Sequence, residues 1–232
     1  MTKSEVIVAL DYDTPQQVQN LLDQLSGTIR YFKVGKQLFT QNGPSIVKML
    51  KDQNYKIFLD LKFHDIPNTT AQAVRSALEL GVDMVNVHAS GGSEMMRRSA
   101  EAAKETNPDA LLIAVTVLTS MDQNALSELG LSVSPQEQVI RLAKLAQSSG
   151  IDGVVASAKE SSLIREACGV DFNQVLPGIR PRGADVQDQK RVLSPGEAAA
   201  QGAQYLVIGR PITKAESPAA SAEAILKEIA EA

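Results

Sequence analysis

Eight short β-rich runs, each followed by a helical pattern, recur along this 232-residue chain. They are "VIVALD" (6–11), "YFKVG" (31–35), "YKIFLDLK" (55–62), "DMVNVHA" (83–89), "LLIAVTVL" (111–118), "GVVAS" (153–157), "QVLPGI" (174–179) and "YLVIG" (205–209). Most are continuously apolar rather than alternating, as expected of parallel strands covered on both faces. Eight β-then-α units in a chain of this length are the count for a closed (β/α)8 TIM barrel, one catalytic domain over residues 1–232. A doubly wound open sheet is the alternative. Its first turn would carry a glycine-rich dinucleotide fingerprint, and "LDYDTPQQ" has none.

The segments between the runs carry helix punctuation. "TPQQ" (Thr14–Gln17), "SPQE" (Ser134–Glu137) and "SPGE" (Ser194–Glu197) share one form. Each has a hydroxyl at the N-cap, proline at the first helical position, and Gln or Glu three residues after the cap. That is a capping box, with proline where a missing N–H costs least. "ELGVD", "SSGID" and "AQGAQ" place a glycine at the return from helix to strand. No low-complexity tract or linker divides the chain.

Bulk properties narrow the classes of partner. The net charge of −4 and the pI of about 5.3 lack the basic footprint of a nucleic-acid binder. The one cysteine, Cys168, has no intrachain partner, which fits a reducing compartment. The start, "MTKSEVIVALDYD", has no basic-then-apolar signal pattern. No apolar run approaches the ~20 residues of a membrane helix. A stand-alone cytoplasmic polypeptide, with neither membrane nor nucleic acid as partner, is the expectation.

Charge is concentrated in "FLDLKFHDIPNT", residues 58–69, inside an otherwise apolar run. Side chains at i and i+2 share a strand face, so Asp60 and Lys62 point one way and Leu59, Leu61 and Phe63 the other. In a barrel the charged pair faces the axis at the strand's C-terminal end, where barrel enzymes keep their chemistry. A structural ion pair would have the same spacing. Other strand ends favour a site: Asp11 closes the first strand, and Lys33 lies in the second beside the small Gly35. Asp11, Lys33, Asp60 and Lys62 would then meet at one mouth, with Asp65 just beyond. An alternating Lys–Asp array keeps each amine beside carboxylates, which suits Lys62 as a proton donor better than as an amine nucleophile.

A metal site is the rival use. His64, Asp65 and His88 are ligand types, but His64 and Asp65 are adjacent and would diverge, and no H-x-H or H-x-x-H spacing occurs. His88 reads as a hydrogen-bonded strand end. The last β-to-α junction, "YLVIGRPITKAESP", offers Gly209 for close backbone approach and Arg210 as a charged fork. Barrels often bind phosphate at the loops after strands seven and eight. The loop after strand seven, 177–190, is long and polar and holds Arg180 and Arg182, as a closing lid would. The bland alternative is a turn with solvated arginines.

These blocks resemble the orotidine 5′-monophosphate decarboxylase family over essentially the whole chain. "DLKFHDIPNT" matches its D-x-K-x-x-D signature in the extended bacterial form. "VALD", "FKVG", "VTVLTSM", "LPGIRP" and "VIGRPIT" follow in the family's order. The resemblance implies decarboxylation of orotidine 5′-monophosphate to UMP, with no cofactor and no metal. It implies Lys62 as proton donor to C6 of the pyrimidine and Asp60 as the carboxylate set against the substrate's own. Lys33 would position Asp60 and touch the ribose, and Asp11 would accept from a ribose hydroxyl. Asp65 and Thr69 would reach the neighbouring site of a homodimer. Thr119 or Ser120 would contact the pyrimidine. Arg180 and Gln189 would be lid contacts to phosphate, and Gly209 with Arg210 the fixed cradle.

Three rivals remain at this level. One is a metal-dependent keto-sugar-phosphate decarboxylase or aldolase with a similar strand, against which "HDIPNT" argues. Another is a metal-dependent pentose-phosphate epimerase, for which the ligand spacing is wanting. The third is a silent nucleotide-binding barrel, since fold does not imply function.

Overall fold

A computed structural model describes residues 4–181 and 193–232. Eight parallel strands close on one another in sequence order: β1 (Glu5–Ala9), β2 (Tyr31–Gly35), β3 (Lys56–Phe63), β4 (Met84–His88), β5 (Leu111–Val115), β6 (Gly153–Val155), β7 (Asn173–Pro177) and β8 (Tyr205–Ile208). The last pairs with the first, Val6 against Leu206 and Val8 against Ile208. The fold is a (β/α)8 barrel, and the open-sheet alternative is excluded by this closure.

Alternation along each strand sorts the apolar residues into two layers. Ile7, Ala9, Phe58, Met84, Ile113, Val175 and Val207 point inward and form one buried cluster on the axis. Val6, Val8, Phe32, Leu59, Val85 and Leu176 point outward into the larger cluster under the helices. Both faces are dry, which is why the runs read as continuously apolar. Six of the eight strands end earlier than the sequence implies; β2 ends at Gly35 as expected and β3 runs one residue further, to Phe63. β1 stops at Ala9, so Asp11 lies two residues past it, and the ladder is extended only by the Leu10 N–H to the Lys33 carbonyl at 3.0 Å.

The three capping boxes form as expected, opening the helices Pro15–Leu25, Pro135–Ser148 and Pro195–Ala200. At helix C-terminal ends, Gly81 after Pro67–Glu79, Gly150 after Pro135–Ser148 and Gly202 after Pro195–Ala200 take φ of 82°, 81° and 82°, the left-handed turn that returns each helix to the sheet. The residue two places on then ties the lower rim. Asp83 accepts the Ile57 N–H at 2.8 Å, Asp152 accepts the Leu112 N–H at 2.8 Å, and Gln204 accepts the Gln174 N–H at 2.9 Å. This rim repeat leaves the opposite, C-terminal mouth for the charged residues.

Candidate active site

The mouth is built from the ends of β1, β2 and β3. Lys33 Nζ lies 3.4 Å from both Asp11 Oδ1 and Asp60 Oδ2, and Lys62 Nζ lies 2.5 Å from Asp60 Oδ1. The four side chains form the expected alternating line Asp11–Lys33–Asp60–Lys62. Gly35 leaves room for it: a Cβ there would stand 3.0 Å from Lys33 Nζ. Burial pushes the Asp60 carboxyl up, but Lys33, Lys62 and Asn86 outweigh it and hold the group below the usual carboxylate range. Asp60 is therefore a buried anion fully committed to its neighbours.

The route by which Lys62 reaches Asp60 differs from simple alternation. Lys62 has φ of 55°, in the left-handed region that non-glycine residues rarely adopt. The β3–β4 register shifts there: Leu59 pairs with Val85 and Phe63 with Val87. A bulge, not a regular strand, turns the two side chains together. Asn86 sits inside it, fully buried. Its Nδ2 donates to Asp60 Oδ1 at 2.7 Å and its Oδ1 accepts the Lys62 backbone N–H at 2.8 Å. Sequence reasoning missed Asn86. The signal was available as the one polar side chain in the middle of "DMVNVHA".

A cavity of about 190 Å³ opens beside the array. Lys33, Asp60 and Lys62 line one side, and Val115, Val155, Val175, Pro177 and Val207 make an apolar wall opposite. Thr119 also lines it, whereas Ser120 is exposed and not part of the lining. Wider hollows of about 510 and 690 Å³ lie on the flanks, but they hold no comparable line of buried charge.

Beyond the array, Asp65 is exposed, accepts the Ile66 N–H at 2.7 Å and donates its own N–H to Thr70 Oγ1 at 3.1 Å. Among the described residues it makes no hydrogen bond or ion pair with the array of its own chain, and Thr69 is also exposed. His88 ends β4 as expected, but among the described residues its side chain has no hydrogen-bond partner. Its ring centroid is 5.6 Å from that of His64, and burial, then His64, Lys36 and Lys62, push its pKa down to about 4. Among the described residues no group of three or more His, Cys, Asp or Glu side chains is placed to hold a metal.

Across the mouth, Gly209 precedes the short helix Arg210–Thr213 and its α-carbon faces Ala9 and Asp11. Arg180 is buried at the root of the long loop, donating from Nη1 to the Ile179 carbonyl at 2.9 Å, where Ile179 bridges Leu193. Burial and the nearby Arg210 both push the Arg180 pKa down. Arg180 is thus part of the packed rim rather than of a solvated loop. Gln189 and Arg182 lie outside the described residues.

Fold and site together define a (β/α)8-barrel protein with an acid–base array on the axis and two arginines on the opposite rim. The chain belongs to the orotidine 5′-phosphate decarboxylase / HUMPS family, whose model matches residues 4–225. It is 54% identical over 219 residues to the orotidine 5′-phosphate decarboxylase of Aliivibrio fischeri strain MJ11, covering 94% of each chain. It is 52% identical over 231 residues to that of Vibrio parahaemolyticus, covering 99% of each. Among solved structures, orotidine 5′-phosphate decarboxylase from Lactobacillus acidophilus superposes with a TM-score of 0.87 at 40% identity, over 97% of this chain and 99% of that one. An uncharacterized conserved protein from Geobacillus kaustophilus superposes at 0.86 with 41% identity, over the same shares.

Proposed function

We propose that this chain, a decarboxylase of pyrimidine biosynthesis by its family, converts orotidine 5′-monophosphate to UMP without metal or cofactor, Lys62 protonating C6. The observation that carries the reading is the Asp11–Lys33–Asp60–Lys62 line beside a cavity whose remaining lining is apolar but for Thr119.

The bond from C6 to its carboxylate breaks, the electron pair stays on C6 and CO₂ leaves. No carbonyl adjoins C6 to take the charge, so the protein must stabilise the carbanion electrostatically. The Lys62 ammonium supplies a positive charge at that carbon and then its proton, forming the C6–H bond of UMP. The amine recovers a proton from solvent. Asp60 keeps Lys62 in place and opposes the departing carboxylate in the ground state. Lys33 holds Asp60 and, with Asp11, meets the ribose. Thr119 is the pyrimidine contact, since it lines the cavity and Ser120 does not.

The phosphate binds between Gly209, Arg210 and Arg180. The mutual repulsion of the two guanidiniums supports an anion there. Its binding energy serves lid closure and ring orientation. Gln189 is assigned to that contact by family resemblance alone.

The active form is a two-fold dimer in which Asp65 and Thr69 reach the neighbouring site. Their exposure supports this, as does Ile66 between them, whose apolar side chain is 67% exposed. The lone cysteine supports a reducing, cytoplasmic setting. Among the described residues no helix is long and apolar enough to cross a membrane.

The deciding experiment follows loss of pyrimidine absorbance from orotidine 5′-monophosphate, with and without chelator. UMP and CO₂ should appear at a rate that chelation leaves unchanged. Absence of UMP would overturn the reading. Activity lost on chelation and restored by a divalent ion would overturn its metal-free part.

A further inference from the structure

Lys62 and Asp60 do not hold each other in place unaided. Three consecutive residues of β3, namely Asp60, Leu61 and Lys62, stand against one residue of β4, Asn86. The bulge takes the Lys62 N–H out of the backbone ladder, and a buried N–H without an acceptor is costly. Asn86 Oδ1 accepts it at 2.8 Å, while Nδ2 of the same amide donates to Asp60 Oδ1 at 2.7 Å. Only one orientation of the amide serves both neighbours. The Lys62 N–H can only donate and the Asp60 carboxylate can only accept, so a flipped amide would fail at both contacts. Asn86 is fully buried and does not line the cavity. Its contacts are with Asp60 and Lys62, the two members of the array that β3 supplies.

We propose that Asn86 is a positioning residue for decarboxylation: its amide clamps the β3 bulge and so sets the Lys62 ammonium and the Asp60 carboxylate at their working separation. This rests on the assignment of Lys62 and Asp60 made above. A displacement of about 1 Å in a proton donor is enough to cost roughly 10²-fold in rate. Substrate affinity, supplied mainly across the mouth by the phosphate site, should change little.

Asn86→Asp tests the clamp with almost no change in shape. Ionised, the new carboxylate accepts from the Lys62 N–H but repels Asp60. Protonated, it offers one carbonyl and one O–H, the same acceptor and donor pattern as the amide. The other titratable groups facing Asp60 are Lys33 on β2, Lys62 on β3, His88 on β4 and, behind Lys33, Asp11. They are the same in both proteins, so the variant-to-wild-type ratio isolates the new group. Activity is expressed per folded protein, measured by circular dichroism.

At pH 8 the variant's kcat should fall at least about 100-fold with KM within about fivefold. The ratio to wild type should recover about tenfold or more by pH 5, as the new acid takes its proton. A kcat within threefold of wild type, or a loss that stays flat across pH, would overturn the clamp. Should Asn86→Asp not fold, Asn86→Ala carries the test: kcat should fall about 30-fold or more with KM within fivefold, and equal losses in both constants would overturn it. A wild-type protein that makes no UMP would instead mean that the underlying assignment has failed.

Discussion

A single side chain at the mouth illustrates how burial and neighbouring cationic groups together tune a titration. His88 ends β4 half-buried beside His64, Lys36 and Lys62, and its pKa falls to about 4 from an ordinary value of about 6.5. Above pH 6.5 it is neutral whether the chain is folded or not, so its contribution is fully present there. Between pH 6.5 and 4 the unfolded chain takes up a proton that the folded one refuses, and stability is lost as pH falls through that window. His88→Gln should therefore flatten the fall of unfolding free energy between pH 6.5 and 4, by less than about 1.4 kcal/mol per pH unit. Urea denaturation at pH 4.5, 5.5 and 6.5 measures it, and identical slopes would refute it. Asp60, held below the usual carboxylate range, acts in a more acidic window and does not confuse the comparison.

At the scale of elements, the barrel is held by close strand approaches that differ from one junction to the next. β6 is short and meets β7 at Gly153, where a Cβ would overlap the backbone carbonyl of Asn173. Backbone cannot move aside as a flexible side chain can. Gly153→Ala should destabilise the fold by about 1–3 kcal/mol, the usual cost of overpacking, seen as a lower denaturation midpoint with an unchanged slope. No loss of stability would mean that β6 and β7 separate more easily than this contact implies. The capping boxes were legible because each needs only four adjacent residues, as at Ser134 and Glu137. The bulge in β3 was not legible. Its cause, the Asn86 amide, lies 24 residues from Lys62 in sequence.

The whole molecule poses the question of whether one chain completes its own site. Among the described residues Asp65 makes no hydrogen bond or ion pair with the Lys62 array of its chain, and it is exposed, as are Ile66 and Thr69. If each site takes Asp65 from the other subunit, Lys62→Ala and Asp65→Ala should each be nearly inactive alone. After subunit exchange, a mixed dimer collects both defects in one site and leaves the other intact. Random exchange makes about half the dimers mixed, so roughly a quarter of wild-type activity should return. Lys62→Ala mixed with Lys33→Ala should recover nothing, because those side chains share one chain's array. A first mixture that stays inactive after demonstrated exchange would show that Asp65 acts within its own chain.

The sequence by itself determined the eightfold βα order, the three capped helices and the membership of the array. Each follows from local periodicity or from residues close in the chain. Tertiary structure alone decided the rest. It put Lys62 at φ of 55°, buried Arg180 near Arg210 at the root of the long loop, and chose Thr119 over Ser120 for the cavity lining. It also brought Asn86 against Asp60 and Lys62. The physical reason is common to all four. Each depends on which groups compete for a buried hydrogen bond or a charge across neighbouring strands and loops, and those neighbours exist only once the barrel has closed.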